Sequence, residues 1–206
     1  MAIKPILTFP NTILRKRAMP VKELNQDIKN LIFDMKDTLK EASGVGLAAN
    51  QVGVLKRVIV LNIPEKKEMQ AFINPEILTK SGIRSVNEGC LSFPNYSGLV
   101  NRSVKITARC LDEMGGNIKF TAEELFSQAL EHEIDHLNGI LFIDHLKEHE
   151  KLINSDPEYR PHTHDIGITA EIIEDNKTDF NQKIYSKIKL DELKEALTRA
   201  HILNED

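Results

Sequence analysis

Between Val21 and about Ala42 the apolar residues Leu24, Ile28, Leu31, Ile32, Met35 and Leu39 recur mostly at steps of three and four. That spacing predicts a helix with one face against a core, and Ser43-Gly44-Val45-Gly46 stops it. The period then shortens. Arg57–Ile63, Ala71–Leu78 and Ser103–Leu111 have strand character, and in the last Val104, Ile106, Ala108 and Cys110 alternate with polar residues. Alternation of that kind marks a half-buried strand. Met114-Gly115-Gly116-Asn117 reads as a hairpin turn leading into Ile118–Phe120. Thr121-Ala-Glu-Glu124 reads as a capping box for a helix running to about Asn138, with Gly139 placed to end it. Short strands ahead of that helix, without a repeated βαβ rhythm, predict an α+β fold. Residues 1–20 read as an irregular arm with three prolines. Residues 147–184 carry Pro157, Pro161, many charges and little periodicity, whereas Ile188, Leu193, Ala196, Leu197, Ala200 and Leu203 recover a helical pattern.

Composition narrows the class. The 206 residues suffice for one sizeable core, and 41% apolar with 28% charged residues is ordinary for a globular chain. A formal charge of −4 argues against a protein built to grip nucleic-acid phosphates. No stretch approaches the roughly 20 apolar residues of a membrane span. The N-terminal region, interrupted by Pro5 and Pro10, does not read as a secretory signal. Only Cys90 and Cys110 are present, so a disulfide framework is not expected and a reducing cytoplasm is the default.

The chemistry concentrates in His132-Glu133-Ile134-Asp135-His136. On a helix, positions i and i+4 lie one turn apart on the same face, so both imidazoles reach one ion. Glu133 lies about 100° round the helix, placed to act on a water at that ion rather than to ligate it. A catalytic site needs a third protein ligand and an open position. The peptidase pattern HExxHxxGxxH is matched up to Gly139 but has Phe142 in place of its last histidine, which disfavours that class. Glu148 or Glu150 could be the ligand of another HExxH peptidase, although a solvated charge run is the simpler reading. Cys90, in Asn87-Glu-Gly-Cys-Leu-Ser-Phe-Pro94, is the better candidate. There Gly89 permits unusual backbone geometry and Pro94 limits the strand. Cys110 falls on the apolar side of its strand and reads as inert. Gly44-Val-Gly-Leu-Ala-Ala-Asn-Gln51 lets something approach the backbone closely but is not a nucleotide loop, and alone it gives Gln51 no role.

Together GVGLAANQ, EGCLS and HEIDH, in this order, resemble the three signature motifs of the peptide deformylases, over about residues 1–146. The resemblance implies Cys90, His132 and His136 as ligands of one divalent metal ion and Glu133 as the acid–base. It implies Gln51, through its side-chain amide, and Leu91, through its backbone N–H, as donors to the oxyanion. Val45 and Gly46 on one side and Gly89 on the other would pair with an extended substrate. The substrate would be the N-formylmethionyl end of a nascent peptide. The implied ion is Fe²⁺ in the cell, with Zn²⁺, Ni²⁺ or Co²⁺ in the purified protein. The expected fold is α+β, with antiparallel β-sheets packed around a central metal-binding helix and helices near both ends. Residues 1–146 would form a single catalytic domain and 147–206 a loop-rich extension ending in the C-terminal helix.

The chain departs from the family pattern at several positions. Gln128 stands one turn before His132, where an apolar pocket residue is usual; Glu131 replaces a common glutamine, and Ser97 a frequent arginine. Arg102 matches an arginine that pairs with the motif glutamate, here Glu88, as a brace for the ligand loop. In one class of the family the C-terminal helix is basic and docks on the ribosome. Here Lys189, Lys194 and their neighbours are mixed with Asp191, Glu192 and Glu195, which leaves at most a transient ribosome contact. His162, His164 and Asp165 could bind a second metal, but a polar loop is the better reading. Other readings remain open: an HExxH peptidase, or a protein that keeps the metal only for structure or for binding peptide N-termini.

Overall fold

The computed structural model describes residues 2–64, 66–146, 152–154 and 187–188. Helix α1 spans Gln26–Glu41, starting five residues later than the apolar period suggests because Asn25 caps it, its side chain accepting from the Ile28 N–H. The strands are β1 (Gly46–Ala48), β2 (Val58–Leu61), β3 (Gln70–Ser81), β4 (Arg84–Cys90), β5 (Phe93–Arg102), β6 (Lys105–Leu111) and β7 (Asn117–Glu123), followed by helix α2 (Glu124–Leu137). Two further strands, β8 (Leu152–Asn154) and β9 (Lys187–Ile188), lie within the expected extension. The sheets run in the orders β1-β2-β3-β6-β7 and β4-β5-β8-β9, with every ladder antiparallel. Among the described residues no helix is long and apolar enough to cross a membrane.

Strand β2 explains the layering. All four of its residues are buried, and alternate side chains face opposite sides. Val58 and Val60 pack with Ile28, Leu31, Met35 and Leu39 of α1. Ile59 and Leu61 pack with Leu130, Ile134 and Leu137 of α2. The first sheet is thus sandwiched between the two helices. A third cluster, with Phe93, Val100, Leu141 and Phe142, packs the second sheet. Phe142, the residue that breaks the longer peptidase pattern, stands edge-on to Phe93 at 5.3 Å between centroids.

The N-terminal arm ties the three motifs together. The Leu7 N–H donates to the Gln51 carbonyl, the Phe9 N–H to the Ser92 carbonyl and the Ala18 N–H to the Leu137 carbonyl, at 2.7, 2.9 and 2.8 Å. None of these contacts has a sequence signature, because any residue's backbone can make them.

Several expectations need correction. Strands β4 and β5 lack a readable period, since only Val86 and Cys90 are apolar in RSVNEGC. Gly89 is extended backbone inside β4, and Pro94 lies inside β5 rather than at its limit. Thr121 caps nothing: it pairs with Thr107 in the β6–β7 ladder. That ladder holds 121–123 extended, and α2 begins at Glu124 without a side-chain cap. Ile188 is in a strand, not a helix, because its backbone pairs with Leu152. The rest of the C-terminal helix, the 147–184 segment apart from β8, and His162, His164, Glu148 and Glu150 lie outside the described residues.

Gly139 ends α2 as expected, with φ +76°, and a Cβ there would fall 2.3 Å from the Arg15 carbonyl oxygen. Gly115 has a similar φ of +84°, but its Cβ would meet nothing nearer than Leu24 Cδ2 at 3.8 Å. Gly115→Ala should therefore lose only the backbone term of roughly 1–2 kcal/mol. Gly139→Ala should lose a further ~1–3 kcal/mol from the clash. Equal losses in denaturant melts of the two variants would contradict this account of the helix end.

Candidate metal centre and cleft

His132 and His136 sit one turn apart on α2, both buried, and Cys90 closes β4 opposite them. One ligand atom from each lies within 4.8 Å of the others, and Cys90 Sγ is 3.1 Å from His136 Nε2. A slip in the β4–β5 pairing makes this convergence. Gly89 faces Ser97 but Cys90 faces Phe93, so residues 94–96 form an excursion and the thiol is carried in toward α2. The Ser92 N–H points to the same sulfur at 3.3 Å.

Gln51 lies on the short turn after β1 and is 1% exposed. Its Oε1 accepts from the Ala48 N–H at 2.8 Å, and its Nε2 donates to Ser92 Oγ at 3.1 Å. These two partners fix the amide with its nitrogen 3.6 Å from Cys90 Sγ. The neighbouring Asn50 anchors α2 by donating to the His136 carbonyl at 2.5 Å.

Behind these three residues, Cys90, His132 and His136, runs a largely buried charged chain. His132 Nδ1 lies 2.6 Å from Glu88 Oε1. Arg102 donates to both Glu88 oxygens, at 3.0 and 2.7 Å, and to Asp135 Oδ2 at 2.6 Å. His145 reaches the same Asp135 oxygen at 2.8 Å. The Glu88–Arg102 pair expected from the sequence is therefore present. Asp135, His145 and Ser92 were not legible, because long-range partners leave no local pattern.

Electrostatics follow from burial and pairing. Burial opposes charge on Glu88, yet hydrogen bonds from His132 and Arg102 outweigh it and hold the carboxyl at about 2. For His132 burial again opposes charge, and the bonds to Cys90 and Glu88 overcome it, raising the imidazole well above its ordinary range. Burial and the His132 charge push His136 well below. Glu133, 3% exposed, is raised to about 7, chiefly by burial. Cys110 is remote, and burial lifts its thiol to about 11, in keeping with an inert core residue.

The donor set fits a divalent ion. A thiol and two imidazoles converge in a buried place, and His132 is oriented by a carboxylate through its other nitrogen, as metal-ligating histidines are. Glu133 Oε2 is buried without a hydrogen-bond partner among the described residues, as befits a group kept for a reactant.

The centre opens on a cleft of about 600 Å³ bordered by Val45, Gly46, Gly89, Leu91, Gln128 and Glu133. Both flanking strands, β1 and β4, are sheet edges. The Val45 carbonyl already accepts from the Asn62 N–H at 2.8 Å. Gly46 admits the carboxylate, since a Cβ there would lie 2.3 Å from Glu133 Oε1. Ser97 also lines the cleft. Glu131 does not; buried, it accepts from the Ser103 N–H and hydroxyl.

A Cys/His/His group that could hold a metal, gathered from a strand end and a central helix beside a buried carboxylate and an open cleft, has the parts that a metal-dependent hydrolase needs. The family model for polypeptide deformylase matches residues 3–152. The peptide deformylase of Dehalococcoides mccartyi is 44% identical over 158 residues, covering 77% of this chain and 95% of that protein. That of Syntrophomonas wolfei is 47% identical, covering 70% and 93%. Among solved structures, a peptide deformylase from Legionella pneumophila superposes with TM-score 0.69 at 45% identity, covering 71% of this chain and 87% of that one. One from Ehrlichia chaffeensis in complex with actinonin gives 0.69 at 36%, covering 72% and 91%. The chain belongs to the polypeptide deformylase family. It is an enzyme that removes the formyl group from N-terminal formylmethionine of newly made polypeptides, and the family is metal-dependent.

Glu88→Gln keeps the shape of the brace but removes the charge that orients His132 and balances Arg102. Metal affinity should fall by about 10–100-fold, read by competition with a chelator. Unchanged affinity would show that the buried chain does not tune the ligands.

Proposed function

We propose that the deformylase reaction of this chain is carried by Cys90, His132 and His136 as the three protein ligands of one divalent ion, with Glu133 as the proton carrier. Gln51 and the Leu91 backbone N–H are the donors to the formyl oxygen. The observation that carries this reading is the convergence of three ligand atoms within 4.8 Å, with Gln51 Nε2 and Glu133 bordering the same space. When bound, the ion supplies Lewis acidity and lowers the pKa of water at its open position.

The chain's own groups do the rest. Glu133, a buried carboxyl that burial makes easier to protonate and that borders the same space, is the group placed to exchange a proton. It takes one from the attacking water as oxygen bonds to the formyl carbon. It then gives that proton to the departing nitrogen as the C–N bond breaks, leaving formate and a free amine. Negative charge gathers on the formyl oxygen in between. The Gln51 amide is already oriented by Ala48 and Ser92, and its second N–H, now beside Cys90 Sγ at 3.6 Å, is the one that would donate there. The Leu91 N–H joins it from the β4–β5 turn.

The substrate peptide lies between the edge strands, pairing with Val45 and Gly46 on β1 and its approach and with Gly89 on β4. Its methionine side chain enters the part of the cleft walled by Leu125 and Ala129 of α2. We infer Fe²⁺ as the ion in the cell, with Zn²⁺, Ni²⁺ or Co²⁺ replacing it on purification. Residues 1–146 act as the catalytic unit and 147–206 as an extension. The enzyme works in the cytoplasm on nascent chains, with a transient ribosome contact and no specific nucleic-acid or membrane partner.

Formate release from a formyl-Met tripeptide, measured anaerobically with Fe²⁺ and again with Ni²⁺, tests the reading. Glu133→Gln should retain the metal and lose about 10²–10⁴-fold in turnover. Metal-loaded wild-type protein that releases no formate would sink the proposal, and an active Glu133→Gln variant would remove Glu133 from its role.

A further inference from the structure

The α2 wall of the cleft is apolar at Leu125 and Ala129, but Gln128 stands between them, one turn before His132. Its orientation is set from β4. Arg84 Nη1 lies 3.0 Å from Glu124 Oε2, one turn further back on the same face, and Arg84 Nη2 donates to Gln128 Oε1 at 3.4 Å. A guanidinium only donates, so it is the amide oxygen that faces Arg84. That leaves the –NH₂ as the donor end of a side chain that lines the cleft.

With the substrate placed as proposed above, a side chain next to the scissile formyl nitrogen would run from the metal centre along α2, where Gln128 lies one turn before His132. A thioether sulfur is a weak acceptor and gains little from an N–H there. A sulfoxide oxygen is polar and needs a donor once water is stripped from it. A wholly apolar hollow would reject it, whereas a held amide N–H replaces its lost water.

We propose that Gln128 is a specificity-determining residue that lets this enzyme deformylate peptides beginning with N-formylmethionine sulfoxide as well as N-formylmethionine. The proposal rests on the reading of the cleft given under Proposed function. The reaction is the same hydrolysis: water adds to the formyl carbon, the C–N bond breaks, and formate and amine leave. The sulfur keeps its oxidation state throughout. Arg84 acts as a positioning residue by holding the amide oxygen.

The test compares kcat/KM for a formyl-Met tripeptide and for its sulfoxide, using the metal-loaded full chain. Wild type should process both, and Gln128→Leu should lower the sulfoxide-to-thioether ratio by roughly tenfold, the worth of one hydrogen bond, mainly through KM for the sulfoxide. Gln128→Glu, which keeps size and polarity but removes the donor, should lower the ratio likewise and serves if Gln128→Leu does not fold. An unchanged ratio in either folded variant, or a wild type inert toward the sulfoxide but active on the thioether, overturns the proposal. Inactivity of wild type on both substrates would instead overturn the underlying reading of the site.

Discussion

Everything in the site depends on holding a cysteine from the end of a β-strand against two histidines on a helix. The chain separates Cys90 from His132 by more than 40 residues, so the contact carries a loop-closure cost and must be held by something other than local structure. The buried chain from His132 through Glu88 and Arg102 to Asp135 does this. It joins β4, β5 and α2 with 2.6–3.0 Å contacts. A buried ion pair is weak support for stability in itself, because desolvation offsets most of the Coulomb attraction. Its value here is directional: a bidentate guanidinium fixes one carboxylate orientation, and that carboxylate fixes one histidine ring.

The rest of the molecule makes that geometry rigid. Strand β2, buried on both faces, lets α1 and α2 grip one sheet from opposite sides. The N-terminal arm ties Gln51, Ser92 and Leu137 to one continuous backbone. The cleft between two sheet edges is what remains open. Strands β1 and β4 end their sheets, so on the proposed reading of the cleft the strands that build the scaffold would also pair with an extended peptide.

Much of this was legible in the sequence, and the gaps have physical causes. Helix α1 and strands β2 and β6 announce themselves because one or both faces are buried in a regular period, β3 by the buried apolar run at its start, and β7 by the turn that precedes it. The β4–β5 hairpin does not, because its inward groups are Glu88, Cys90 and Arg102, which read as polar or ambiguous. Thr121 misled because a capping-box spelling and a strand end can share residues, and cross-strand pairing won. HEIDH marks two candidate ligands and a carboxylate, and Cys90 in EGCLS enters as the candidate third ligand through the family resemblance. The role proposed for Gln51 has its physical support in Ala48 and Ser92, which orient its amide. Ser92, Asp135 and His145 had no signal, since their partners are distant in the chain.

The central claim is that one thiolate from a strand end and two imidazoles from a helix hold a single ion. X-ray absorption at the metal edge of anaerobically iron-loaded protein tests it most directly. The account predicts a first shell with one sulfur and two imidazole nitrogens, and loss of the sulfur in Cys90→Ser. A shell without sulfur in the wild type, or one whose sulfur survives Cys90→Ser, would contradict it.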